Sequence, residues 1–233
     1  MGKLITVFSS TVVLGMILCD IVGLYERLAR VARIDVLTSL HNRRAYEEYL
    51  EIVYYNACRL RSSLGLLVID IDHFKRYNDL HGHLGGDACL RSVAKVLAGC
   101  ATRPLDLVAR YGGEEFVVVL PDTALEGALH VAECIRSVIE GLDVSQGTKS
   151  LGRVTVSVGI GYAADARSVE AAGLFEAADR ALYEAKDTGR NCIVVAELDG
   201  VVREEVAPAW MTAAAISGPA TVPQFARETE PDI

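Results

Sequence analysis

Two acidic pairs stand out for where they lie in the chain. Asp70 and Asp72 close the apolar run LGLLVIDID, and Glu114 and Glu115 sit in RYGGEEF, directly ahead of VVVLP. Side chains alternate along a strand, so Asp70 and Asp72 share a face if both stay in β geometry. Where the chain instead turns into a helix, Asp72 is its N-cap and Asp70 the candidate ligand, the reading the following residues favour. Alternation also sends Glu114 and Glu115 to opposite faces, so only one of them reaches the face of Asp70. With the two strands side by side, carboxylates from each meet at the sheet edge, where their repulsion is costly without a cation. Mg²⁺ takes one or two protein carboxylates and completes its shell with water and phosphate oxygens, which suits Asp70 with Glu114. The plainer reading of the glutamates is a solvated hairpin tip. Gly112 and Gly113 fit a tight turn whose two central residues need positive φ.

Groups suited to a nucleotide surround these acids in DIDHFKRYNDLHGHLGGD. His73 and Phe74 fall in the first turn of a predicted helix, whose free N–H groups attract anions, and Lys75 adds a charge. Asn78 and Asp87 carry the donors and acceptors that read a base edge. In AKDTGRN, Lys186 and Arg190 stand four apart at a helix end, close enough to reach one phosphate, although such cations also compensate a helix dipole. Other chemistries lose their support. No GxxxxGK[ST] occurs and no GxGxxG follows a strand. His81 and His83 lack third and fourth zinc ligands, and no GxSxG anchors a hydrolase triad.

These residues need a scaffold, and the sequence describes one. The 233 residues, 51% of them apolar, suffice for a packed domain with appendages. A net charge of -8 without a Lys/Arg block argues against nucleic acid as partner. Six cysteines without CxxC spacing read as free thiols of a reducing compartment. From 35 to about 199 the pattern is α/β. A helix over 42–60 leads to the strand LGLLVIDID, helices over 73–80 and 87–100, a hairpin ending at Pro121, a helix over 124–141, a strand in RVTVSVGIGYA, a helix over 168–187 and a last strand, NCIVVA. The order matches a ferredoxin-like βαββαβ core, a mainly antiparallel sheet flanked by helices. Ahead of it, 1–34 holds an uncharged run over 4–19, somewhat short of the roughly 20 residues of a spanning helix. Membrane contact through 4–24 is one expectation, with Arg27, Arg30 and Arg33 keeping the remainder cytoplasmic at the inner membrane. Ile17, Ile21, Leu24, Leu28 and Val31 also trace a short coiled-coil seam. The segment 200–233, rich in Pro, Ala, Thr and Glu, reads as a disordered tail.

RYGGEEF resembles the signature of the GGDEF-domain diguanylate cyclases in its GGEEF form. DVLTSLHNRR is similar to that family's opening motif, DIDHFKRYND to its metal and nucleotide segment, GHLGGD to its GHxxGD, and AKDTGRN to its closing AKxxGRN. The resemblance implies a fold akin to the polymerase palm and the condensation of two GTP into cyclic di-GMP with release of two pyrophosphates. It implies that Asp70, Glu114 and the main-chain carbonyl of Ile71 hold Mg²⁺, with Mn²⁺ an alternative. Asn78 and Asp87 would recognise guanine, and His73, Phe74, Lys75, Lys186 and Arg190 would hold phosphates. Glu115 would be the second acid, as base or further ligand. Each domain offers one guanine site, so the resemblance also implies a homodimer. Arg103 and Asp106, nine and six residues ahead of Gly112, match the family's RxxD site for inhibition by the product. Two departures are visible: Ser39 stands where glycine is usual, and Cys134 where some members carry an arginine of the inhibitory site, so that feedback is weaker or uses Arg136. A noncatalytic receptor for GTP or cyclic di-GMP is the alternative reading of the same fold.

Overall fold

The computed structural model describes residues 33–146 and 149–198. The expected anchor, seam and tail lie outside the described residues, apart from Arg33 and Ile34. A two-residue strand β1 (His41–Asn42) precedes α1 (Arg43–Leu60), followed by β2 (Leu64–Ile71), α2 (Phe74–Cys100), β3 (Leu107–Gly112) and β4 (Glu115–Pro121). Then come α3 (Leu125–Gly141), β5 (Asp143–Gln146), β6 (Lys149–Arg153), β7 (Val156–Ala163), α4 (Ala171–Asp187) and β8 (Ile193–Glu197).

The main sheet runs β1-β3-β4-β2-β7-β8. Its inner four strands are antiparallel to their neighbours, while β1 and β8 add parallel to the two sides. That is the expected βαββαβ order, with β2 at the centre. All eight residues of β2 are buried, as a strand covered on both faces must be. Leu64, Leu66 and Val68 pack with Tyr46, Val53 and Tyr54 of α1 and Leu174, Ala178 and Leu182 of α4. Leu67, Ile69 and Ile71 face the other way, against Leu90, Val93 and Leu97 of α2 and Ile135 and Ile139 of α3. No helix among the described residues is long and apolar enough to cross a membrane.

Local chemistry explains the element ends nearest the acids. Asn42 caps α1, its side chain accepting from the Ala45 N–H at 3.0 Å. The two helices expected here are both present and follow one another within α2, separated at Gly82, whose φ of 72° and ψ of 171° are not helical. Asp72 does not cap α2. His73 occupies the N-cap position at φ 56°, with no side chain capping the helix, and the Asp72 carboxylate is engaged elsewhere. The hairpin turn also differs from expectation. Gly112 is the last residue of β3 and pairs with Glu115, so Gly113 and Glu114 form the turn, and only Gly113 has positive φ, 55°. The small β5–β6 hairpin was not expected, and β7 starts at Val156 rather than Arg153.

Close approach of α4 to the sheet depends on two glycines. A Cβ on Gly159 would lie 2.1 Å from the Ala178 carbonyl oxygen and 2.2 Å from the Leu182 nitrogen, and one on Gly161 would lie 2.3 Å from the Leu174 carbonyl oxygen. Backbone cannot yield there as a side-chain tip can. We expect Gly159→Ala to lower the unfolding free energy by about 3 kcal/mol or more in urea titration. A loss below about 0.5 kcal/mol would show that α4 does not rest on β7 as described.

Candidate active site

Asp70 is the penultimate residue of β2, paired in register with Glu115 on β4 and with Ser157 on β7. Residues directly opposite in an antiparallel pair project to the same face. Asp70 and Glu115 therefore share the α4 side of the sheet, and Glu115 is the glutamate that strand alternation brings to Asp70. Glu114 stands beside them in the turn. From α4, Lys186 reaches down to Asp70, Nζ to Oδ2 at 2.9 Å.

The electrostatics of this cluster are unbalanced. Burial pushes the Asp70 carboxyl above its usual range; Lys186 pulls it down, and the charges of Glu114 and Asp72 push it up again. Glu115 is raised by burial first and then by Asp70, with Lys186 opposing and Asp179 and Glu114 adding to the rise. One lysine thus faces several carboxylates that repel one another, in a half-buried place where water screens them poorly.

A hard divalent cation fits this donor set, which is all oxygen and already in want of positive charge. Among the described residues no three His, Cys, Asp or Glu side chains form a group that could hold a metal. Two carboxylates leaving coordination positions for phosphate and water is the pattern of a magnesium site rather than of a closed cage.

The turn bearing Glu114 is clamped from behind. Arg110 donates to the Gly113 carbonyl through Nε at 3.0 Å and Nη2 at 2.8 Å, while its Nη1 meets both oxygens of Asp35 at 3.2 and 3.3 Å. Asp35 also accepts from the Thr38 N–H and hydroxyl. The opening motif is thereby tied to the hairpin tip, a role for Asp35 and Arg110 that sequence reasoning missed. Their signal was their place as first letters of two motifs.

The nucleotide-type groups are arranged around the same edge. Only Asp72 and His73 separate the end of β2 at Ile71 from the start of α2 at Phe74, so the uncapped N–H groups at His73 and Phe74 open beside the acids, with Lys75 exposed next to them. Arg190 lies exposed in the turn after α4. Asn78 and Asp87 stand on the two arms of α2 across the Gly82 break. Asn78 Oδ1 is buried with no hydrogen-bond partner and lies where a Cβ on Gly86 would come within 1.8 Å of it. A buried acceptor without a donor is unfavourable and leaves that oxygen free to accept from an incoming N–H. Asp87 is half-buried with Arg91 at 3.9 Å.

Arg103 and Asp106 do not join this cluster. They form a turn in which the Arg103 N–H donates to Asp106 Oδ2 at 3.0 Å and the Asp106 N–H donates to the Arg103 carbonyl at 3.0 Å. The Arg103 guanidinium bonds the Thr123 hydroxyl and the Asp122 carbonyl, just beyond the far end of β4 from Glu115. Six residue steps of strand put that roughly 20 Å away. Asp106 Oδ1 is buried without a partner, and burial raises its carboxyl pKa against the pull of Arg103. Cys134 touches Cys100 through its thiol, and burial with this contact holds the Cys100 thiol up at about 12. Arg136 turns instead to Glu133, Glu140 and Asn191.

A family model described as "Diguanylate cyclase, GGDEF domain" matches residues 32–192. The chain belongs to the GGDEF-domain diguanylate cyclase family. It is 41% identical over 173 residues to the diguanylate cyclase DgcM of Escherichia coli (strain K12), covering 74% of this chain and 40% of that protein. The chain thus spans well under half of that curated relative's length. Among solved structures, the GGDEF domain of DgcB from Caulobacter crescentus in complex with c-di-GMP superposes with a TM-score of 0.66 at 37% identity, covering 70% of this chain and 95% of that one. The active GGEEF domain of a diguanylate cyclase from Vibrio cholerae gives a TM-score of 0.61 at 31% identity, covering 71% and 99%. In this GGDEF domain, as in those folds, a central sheet is flanked by helices.

The crowding of charge has a measurable cost. An acid whose folded pKa lies above its unfolded value binds more protons in the folded state between the two values, so stability falls as pH rises through that window. Charged Glu115 therefore weakens the metal-free fold at neutral pH. Glu115→Gln is expected to melt at a higher temperature than the wild type at pH 7 without divalent ions, with the gap closing as pH falls toward about 4. A variant that melts lower at pH 7 would contradict the repulsion.

Proposed function

We propose that this chain condenses two molecules of GTP into cyclic di-GMP, releasing two pyrophosphates. One observation carries the reading: Asp70 and Glu115 face each other in register, with Glu114 in the adjoining turn, Lys186 bonded to Asp70 and a helix N-terminus just past the strand. Opposed carboxylates flanked by phosphate-binding groups suit in-line phosphoryl transfer.

In this account Asn78 and Asp87 take the guanine edge, the unpaired Asn78 oxygen accepting from a base N–H. The N–H groups of His73 and Phe74, with Lys75, Lys186 and Arg190, hold the phosphates against the acids. Asp70, Glu114 and the Ile71 carbonyl would hold Mg²⁺, or Mn²⁺ in its place. When bound, such an ion supplies charge neutralisation for the pyrophosphate and eases ionisation of the attacking hydroxyl. The 3′-hydroxyl of one GTP attacks the α-phosphate of the other. A P–O bond to that oxygen forms, the bond to the pyrophosphate oxygen breaks, and the hydroxyl proton passes to Glu115, whose carboxyl is held above its usual range by burial; the reciprocal attack by the second 3′-hydroxyl closes the ring and releases the second pyrophosphate.

One guanine site per copy makes a homodimer the working unit, two domains presenting their nucleotides to each other. Residues 1–34 would serve it as membrane tether or dimer-forming linker, with the unit 35–199 cytoplasmic. Arg103 and Asp106 would bind cyclic di-GMP as inhibitor. Arg136 is engaged with Glu133, Glu140 and Asn191, which favours weak rather than strong feedback.

Incubation of the purified chain with GTP and Mg²⁺, followed by chromatography of the nucleotides, tests the reading. Cyclic di-GMP is expected from the wild type, and Glu114→Ala is expected to lose at least about a hundredfold in rate, roughly 3 kcal/mol in the barrier. Binding of cyclic di-GMP or GTP without any product would establish the receptor reading instead, and full activity in Glu114→Ala would overturn the metal assignment.

A further inference from the structure

Asp72 is 6% exposed and every one of its polar contacts crosses to a distant segment. Oδ1 accepts from the Ser157 hydroxyl at 2.7 Å, and Oδ2 accepts from the Thr155 hydroxyl at 2.6 Å and from the Asn191 N–H at 3.1 Å. The third of these bonds is the informative one. Asn191 ends a turn in which Gly189, Arg190 and Asn191 have φ of 122°, 65° and 48°, a left-handed run that non-glycine residues adopt only when held.

Arg190 and Lys186 depend on different supports. Lys186 rides on α4, fixed by the packing of that helix on Gly159 and Gly161. Arg190 has left the helix, and its turn is anchored before it by its own N–H to the Ala185 carbonyl at 3.0 Å and after it by the pairing of Ile193 with Val158. Between these points the main chain is tied to the sheet through Asp72. The Asn191 side chain adds a second hold from α3, donating to Glu140 at 2.9 Å and accepting from Arg136 at 3.1 Å.

We infer that Asp72 is a positioning residue, which fixes the turn 189–191 against the end of β2 so that Arg190 is presented to the phosphates of the nucleotide held beside Asp70. This rests on the reading under Proposed function. It gives the second aspartate of DID a task separate from the first: Asp70 faces the cation and Asp72 holds the arginine that faces the anion. Two carboxylates two residues apart, Asp70 near the end of β2 and Asp72 just past it, thereby set the spacing between opposite charges of the site.

The test compares GTP with guanosine by calorimetry, in the wild type, Asp72→Ser, Asp72→Asn, Arg190→Ala and the Asp72→Ser/Arg190→Ala double variant. Serine is too short to reach the turn, whereas asparagine can still accept from the Asn191 N–H while its amide turns to the Ser157 hydroxyl. Asp72→Ser is expected to weaken GTP about tenfold and guanosine less than about twofold, and Asp72→Asn to restore most of the loss. In the Arg190→Ala background Asp72→Ser should have no further effect. Equal weakening of GTP and guanosine, or an undiminished effect without Arg190, would overturn the inference in favour of a merely structural Asp72. Should Asp72→Ser fail to fold, amide hydrogen exchange of the wild type decides: Asn191 must be protected like the amides of β8, and exchange at the rate of an open loop would overturn the tether. A wild type binding GTP no tighter than guanosine would instead contradict the phosphate reading itself, a result distinct from a non-selective loss.

Discussion

The pairing of Asp70 with Glu115 across β2 and β4 is the constraint on which the rest depends. A slip of one residue in that register would turn one carboxylate to the opposite face of the sheet and separate the pair. The register is protected by the interior. Leu64, Leu66 and Val68 face α1 and α4 while Leu67, Ile69 and Ile71 face α2 and α3, so both faces are apolar and it is size that sets the register: Gly65 lies against Ala128 of α3, where a slip of one residue would put a leucine. The site thus borrows its precision from hydrophobic burial that has no part in the chemistry, and it sits where that burial ends, at the last turn of β2 before the chain enters α2.

Around this pair the molecule gathers charge in an unfavourable way. Carboxylates from β2, β4, the hairpin turn and α4 converge, and Lys186 is the cation bonded among them. Stability is given up locally for a place where a cation and a polyphosphate can be received together. The same logic governs Asn78, whose oxygen is buried without a donor because Gly86 leaves it room. Both features are uncompensated in the free protein, and one ligand with a base edge at one end and phosphates at the other would compensate both.

Much of this was legible in the sequence because it rests on short-range patterns. An apolar run of strand length, a glycine-rich turn and helical periodicities are local, and β2, the hairpin, α3 and α4 follow from them closely. What was not legible depends on distance. An aspartate just ahead of a helix has the local chemistry of an N-cap, yet Asp72 is held by Thr155, Ser157 and Asn191, 83 to 119 residues further on. Alternation along RYGGEEF says that the glutamates diverge but not which one meets Asp70. That answer needed the register, which puts Gly113 and Glu114 in the turn. The β5–β6 hairpin is short and polar enough to carry no periodic signal of its own, and the Arg110–Asp35 clamp joins two motifs that look independent in one dimension.

The central claim is that carboxylates of β2 and of the hairpin grip one divalent ion beside a guanine nucleotide. Its most direct test is a crystal structure of the chain with Mn²⁺ and a non-hydrolysable GTP analogue, with the ion located by anomalous scattering. The account predicts a manganese peak within about 2.5 Å of oxygens from both Asp70 and Glu114 and touching the nucleotide phosphates. A peak bound to only one of these residues, or nucleotide phosphates seated away from the start of α2 and from Arg190, would contradict it.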